Sequence, residues 1–261
     1  LKLLICLFSI IFIIISLSNP QIGTKVETYK RFGTDIVFAI DVSKSMLAED
    51  IVPNRLEKSK QIVTQIINNL KSDRVGIVAY AGKAFPQLPI TTDYSSAKMF
   101  LNNMNTDMIS SQGTAIDEAI QLSTNYFDED QNSSKILFII SDGEDHNNNS
   151  NDISKFAAKK GISIYTIGVG KEKGAPIPIK NNGVIQNYKR DNNNEVVITK
   201  LNTEMLQNIS ESAGGYYING EITSKVIDEV NTILLNTEKK EFDTQKFSEF
   251  EDQFQWFIAF A

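Results

Sequence analysis

The sequence is poor in the residues that soft-metal and nucleophilic chemistry needs: one cysteine and one histidine in 261 residues. Cys6 by itself can close no intrachain disulfide and can build no thiolate zinc site. A Ser–His–Asp hydrolase would have to rest on His146, in an asparagine-rich stretch after Gly143, Glu144 and Asp145. A nucleophile and its base must meet in space, and His146 reads instead as a solvated loop residue. Positive charge is also short. The formal net charge is −6, and phosphate binding needs a basic footprint, which excludes a nucleic-acid partner. The remaining composition, 41% hydrophobic and 22% charged, is that of a folded chain rather than a disordered one. The length suffices for one large domain or two small ones, and the asparagine triplets at 147–149 and 192–194 read as loop filler. The chain opens on Leu1 and stops inside an apolar run, so both ends are expected to be cuts in a longer protein.

What is present begins with that apolar N-terminus. Residues 1–18, LKLLICLFSIIFIIISLS, carry one charge, Lys2. As a helix they would extend about 27 Å against a hydrocarbon core of roughly 30 Å. A signal peptide would want a small-x-small cleavage site near Asn19–Pro20, which is missing, so a transmembrane helix is expected over 1–18. Phe254, Trp256, Phe257, Ile258 and Phe260 begin a second, truncated run over 254–261, with Trp256 suited to the headgroup level. A linker at 19–32 and a charged linker at 238–253 would join these runs to a domain at 33–237. The flanking charges do not decide the side of the membrane.

Within 33–237 the apolar period alternates between strand and helix. Strands are expected at 35–41, 75–80, 84–90, 135–140, 162–170 and 216–218. Helices are expected at 55–70, 94–104, 115–126, 152–160, 202–212 and 224–235. Pro86 and Pro89 make 84–90 an edge strand or an irregular hairpin arm, because proline cannot donate to a ladder. Residues 171–197 carry no helical period and read as an insertion, with Gly183 as a turn residue. Alternating strands and helices imply crossover connections, hence an α/β domain: a doubly wound, mainly parallel six-stranded sheet.

The chain is organised around residues 35–46, DIVFAIDVSKSM. A buried strand there delivers Asp41, Ser43 and Ser45, at alternate positions, to the C-terminal edge of the sheet, where open α/β sheets bind ligands. Thr114, after Gly113, precedes a helix, and Asp142 ends the fourth strand. The first and fourth strands are expected to be neighbours, which places Asp41 and Asp142 across one crevice. The donors are two carboxylates and three hydroxyls, a set for Mg2+ or another hard divalent cation such as Mn2+; zinc or copper would want nitrogen or sulfur. An ion held partly by neutral hydroxyls stays electrophilic and attracts a carboxylate from outside, which describes a binding device rather than a catalyst.

Each residue also has an ordinary reading. Ser43 and Ser45 could cap the next helix, and Asp142–Gly143 could be only a turn. Glu144 and Asp145 read as solvated loop acids, and Asp117 and Glu118 as acids favoured by a helix N-terminus. Gly168, Gly170 and Lys171 lack the spacing of a phosphate loop. A magnesium-dependent phosphoryl-transfer enzyme could use the same carboxylates. It would need basic residues on the phosphate, and Lys44, the cation within the first motif, is expected to point away from Asp41 and Ser43.

DVSKSM, the Gly113–Thr114 turn and SDGED together resemble the von Willebrand factor A domain. They match its metal-ion-dependent adhesion site, Asp-x-Ser-x-Ser, then Thr, then Asp, at Asp41, Ser43, Ser45, Thr114 and Asp142. AEDIVPNRLEKSK, GIVAYAGKAFPQLPITTDYSSAKMFL, QGTAIDEAI, SDGEDH, IYTIGVG and SEFEDQFQWF are similar to the membrane-anchored bacterial Bat (aerotolerance) family, its B member most. The resemblance covers nearly the whole chain, both apolar flanks and the insertion included. It implies a non-enzymatic adaptor of the bacterial inner membrane with its domain in the periplasm. The implied partners are a protein that supplies an acidic residue to the metal, other Bat proteins, tetratricopeptide proteins and a MoxR-type ATPase, in stress tolerance or complex assembly.

Overall fold

A helix, α1 (Lys2–Leu17), leads into the long strand β1 (Gln21–Asp41), whose end is the apolar run at 36–40. The computed structural model describes residues 2–18, 21–109, 111, 113, 115–127, 133–144, 150–181, 183–237, 240–252 and 254–259; over 21–32 and 240–252 and at 254, 256 and 257 it describes the backbone alone. After β1, Asn54 starts α2 (Arg55–Asn69) by accepting the Glu57 N–H at 2.8 Å, satisfying a donor that the first helical turn leaves free. Then come β2 (Arg74–Tyr80), β3 (Ala84–Thr91) and α3 (Tyr94–Asn103), which Asp93 caps through the N–H groups of Ser95 and Ser96. Next are α4 (Ile116–Thr124), β4 (Ser134–Ser141), α5 (Ser150–Lys159) and β5 (Ile162–Gly168).

The region read as an insertion folds into short strands, β6 (Ala175–Pro176), β7 (Pro178–Asn181), β8 (Val184–Tyr188) and β9 (Ile198–Thr199). β6 pairs with β9, and β7 and β8 form a hairpin with Gly183 at φ 80 in the turn. The chain then makes α6 (Thr203–Ser212), β10 (Tyr217–Asn219) and α7 (Thr223–Asn236).

The main sheet runs β10-β5-β4-β1-β2-β3. Every neighbour in that series is parallel except β2–β3, which is antiparallel. The proline-bearing β3 is the edge strand, with register shifts against β2. Side chains of β1 alternate between two apolar layers, as a strand's period of two requires. Ile36, Phe38 and Ile40 pack with Leu56, Ile62, Ile66, Leu101, Val226 and Val230 of α2, α3 and α7. Val37 and Ala39 pack with Ile116, Ile120, Ala157 and Ile209 of α4, α5 and α6. Phe38 stacks on Phe138 across β1–β4 at 5.7 Å, both rings fully buried, and each such side chain contributes about 1.5–3 kcal/mol. Helices cover both faces, which is the doubly wound architecture.

The flanks differ from expectation. The chain divides into two compact units, Phe32–Glu241 and a second made of Leu1–Arg31 with Phe242–Ala261. The helix read as a membrane span at 1–18 is 16 residues long and ends at Leu17; among the described residues no helix is long and apolar enough to cross a membrane. Of the residues read as linkers at 19–32 and 238–253, those at 21–32 and 240–252 are extended strand. β1 begins at Gln21, and β11 (Lys240–Asp252) pairs with it. Ile22, Thr24, Val26 and Thr28 are β-branched and alternate, a pattern suited to extended backbone, and interstrand hydrogen bonds do not require an apolar run. α8 (Phe254–Ala259), at the second apolar run, is 6 residues.

Candidate metal centre

β1 and β4 run parallel and in register, Ile40 opposite Ile140, so both strands leave the sheet at the same height. Asp41 and Asp142 follow at that edge, both fully buried. Past Asp41 the chain turns on itself. The Ser43 N–H donates to Asp41 Oδ1 at 2.8 Å, and a 3-10 turn follows at Lys44–Leu47. Ser43 stands at the N-cap of that turn, yet its hydroxyl caps nothing; it lies 2.9 Å from Ser45 Oγ. Helix capping therefore does not account for Ser43. Lys44 points away, as its position implied: Nζ reaches Thr106 Oγ1 at 3.3 Å and pairs with Asp107.

On the β4 side, Ser141 Oγ donates to Asp41 Oδ2 at 2.7 Å and accepts the Gly143 N–H at 2.9 Å. Asp142 accepts the Glu144 N–H on Oδ1 at 3.2 Å and Arg55 Nη1 on Oδ2 at 2.7 Å. Gly143 sits at φ 72, and a Cβ there would come within 2.7 Å of the Asn202 carbonyl oxygen. Only glycine fits that turn without displacement.

Two buried carboxylates face one another here. Burial first, then the Asp142 charge, pushes Asp41 up from 3.8 to about 7, against the hydrogen bonds from Ser43 and Ser141. Burial also raises Asp142, although the Arg55 charge and the Ser45 hydroxyl pull it back. Asp41, Ser43, Ser45 and Asp142 are thus brought together. Thr114 lies outside the described residues, as do Asp145 and His146.

Sequence reasoning missed Arg55, which reads as an ordinary first residue of an amphipathic helix. It is fully buried. Its Nε and Nη2 hold Asp50 at 2.9 and 2.8 Å, and Nη1 and Nη2 hold the hydroxyl and carbonyl oxygens of Thr199 at 2.9 and 3.1 Å. Glu144, read as a solvated acid, accepts the Lys200 N–H at 2.6 Å. The available signal was a lone arginine four residues after three closely spaced acidic and apolar residues, too weak to single out.

The donor chemistry fits a hard cation: carboxylate and hydroxyl oxygens, with a deficit of positive charge between two acids. Among the described residues no three of His, Cys, Asp and Glu cluster, so hydroxyls would have to complete any coordination. The residues that would hold the ion are Asp41, Ser43, Ser45 and Asp142.

The family model of the von Willebrand factor type A domain matches residues 35–219. Among solved structures, the conserved hypothetical protein BatB of Bacteroides thetaiotaomicron is 40% identical, with a TM-score of 0.72 over 77% of this chain and 98% of that one. An aerotolerance-related membrane protein of Bacteroides fragilis, solved with several positions changed to serine, is 36% identical, with a TM-score of 0.75 over 78% and 100%. A mussel byssus proximal thread matrix protein, solved with a zinc-occupied MIDAS motif, shares the fold alone at 16% identity and a TM-score of 0.55 over 84% and 50%. The chain spans 50% of the length of one curated relative, at 28% identity, and 70% of another, at 24%.

Proposed function

The chain belongs to the von Willebrand factor type A domain family, alongside the Bat aerotolerance proteins, and from that premise we propose that it is a binding module and not an enzyme. Asp41, Ser43, Ser45 and Asp142, with Thr114 as the fifth ligand, hold a divalent cation that captures an acidic residue of a protein partner. One observation carries this reading: Asp41 is fully buried, faces Asp142, and has no cationic side chain of its own among the described residues. Such a site is short of positive charge, and a divalent ion supplies it. With the carboxylates nearly balancing the ion and hydroxyls filling the rest, the ion keeps affinity for one more anion.

The cations of this region already hold acids: Arg55 pairs with Asp50 and with the proposed ligand Asp142, and Lys44 with Asp107. That disfavours the phosphoryl-transfer alternative, which needs free basic groups on a phosphate. Mg2+ or Mn2+ is the expected ion. The zinc held by the mussel protein's MIDAS motif makes Zn2+ the necessary comparison.

We carry the cellular setting over from the family resemblance: an adaptor at the bacterial inner membrane, its domain periplasmic, working with other Bat proteins, tetratricopeptide proteins and a MoxR-type ATPase. The description of one Bat relative as a membrane protein supports the membrane part. The exposed apolar side chains of α1, Leu3, Leu4, Phe8 and Ile14 among them, suit membrane attachment. Asp41→Ala should leave the domain folded and abolish magnesium-dependent partner capture, read by pull-down from membranes with and without chelator. Equal recovery in both conditions would refute the adhesion-site reading.

A further inference from the structure

Both ends of the 171–199 segment are tied to Arg55, the arginine that pairs with Asp142. The Lys171 N–H donates to Asp50 Oδ2 at 2.8 Å, and Asp50 is held by Arg55. Arg55 Nη1 in turn spans Asp142 and Thr199. The β7–β8 hairpin that grows from these two ends is therefore anchored beside Asp142. It walls a groove of about 660 Å³ whose other sides are the 3-10 turn after Ser43, the start of α2 and the 105–107 loop. Leu47, Leu56, Ile177, Pro178 and Ile179 give it an apolar lining. Lys44 and Leu47 of that lining belong to the same turn as Ser43 and Ser45, so the groove borders the segment that carries two of the proposed ligands, although the ligands themselves do not line it. Its acids are neutralised: Asp107 by Lys44, Glu49 by Lys180 and Glu57 by Lys60. Lys189, also in the lining, forms no ion pair among the described residues. An apolar trough with one unpaired cation complements an acidic, apolar segment.

We propose that this groove holds the residues flanking the partner's metal-bound acid, so that the partner presents an Asp or Glu next to aliphatic or aromatic side chains. This rests on the metal-dependent reading above. A single carboxylate on an ion gives little discrimination; an apolar groove at a fixed distance from it supplies the rest, because unmatched polar side chains would be desolvated there.

The test is selection of a displayed peptide library, with one fixed Glu and random flanks, on the full chain in Mg2+. Apolar flanks should be enriched. A selected peptide, labelled with a fluorophore, should bind Ile179→Asp roughly ten- to hundredfold more weakly, and Lys189→Glu should weaken it too. Ile179 is 51% exposed, so the variant should fold; an unchanged Mg2+-induced rise in Tm checks both its fold and its metal site. Random or polar flanks, or equal binding to Ile179→Asp, would overturn the proposal while leaving metal binding intact. So would self-association of the chain that Ile179→Asp abolishes, since a second copy would then fill the groove. Absence of any Mg2+ response in the unsubstituted chain would refute the metal reading itself.

Discussion

Arg55→Met should cost the metal-free protein about 3–5 kcal/mol, the usual penalty for removing one partner of a buried ion pair. The methionine keeps the apolar stem but deletes a guanidinium that makes five hydrogen bonds at 2.7–3.1 Å. Asp142, with a side chain 0% exposed, and Asp50, at 5%, lose their cation, and Asp142 is left facing Asp41. In a domain of this size each kcal/mol shifts Tm by about 2–4 °C, so Tm should fall by about 6–20 °C. Urea unfolding followed by circular dichroism in chelator measures the loss directly. Adding Asp142→Asn to Arg55→Met should cost less than the two single changes together, because the stranded charge is then gone. The shortfall should be about 0.5–3 kcal/mol. A loss below about 1 kcal/mol for Arg55→Met, or strict additivity, would show that the clamp is not what holds this end of the sheet.

Two further outcomes follow from the same geometry. In chelator, the folded Asp41 carboxyl titrates near 7 rather than 3.8, so its contribution to stability is fully present below the unfolded pKa and is lost as pH rises through 7. Metal binding must displace that proton, so the Mg2+-induced rise in Tm should be small at about pH 5 and full by about pH 8; equal increments at both would contradict the buried, facing carboxylates. Gly170→Ala should cost about 1–3 kcal/mol, since φ there is +141 and a Cβ would lie 2.8 Å from Arg55 Nε. Gly161→Ala, with a positive φ but nothing within 4 Å, should cost less in the same urea titration.

The sheet was legible because its signals are local. Val37 and Ala39 alternate with Ile36, Phe38 and Ile40 in one continuous run, which states burial on both faces. The prolines of β3 declared an edge. The flanks were less legible: 19–32 and 238–253 are polar enough to read as linkers, and strand pairing between distant segments leaves no period by which to recognise it. At the site, Ser43 and Ser45 could be placed by their spacing from Asp41, and Asp142 by its position at a strand end. Glu144 looked solvated because its partner, the Lys200 N–H, is 56 residues away.

Periodicity and ligand spacing are properties of consecutive residues, so the sequence alone determined an α/β sheet with oxygen donors gathered at one edge. The tertiary structure alone decided what surrounds those donors. Arg55 meets Asp142 across 87 residues and Thr199 across 144. Nothing local distinguishes such an arginine from one on a solvated helix face. Only when β4 and the 171–199 segment are folded against the start of α2 does burial strip water from the guanidinium and make its partners obligatory.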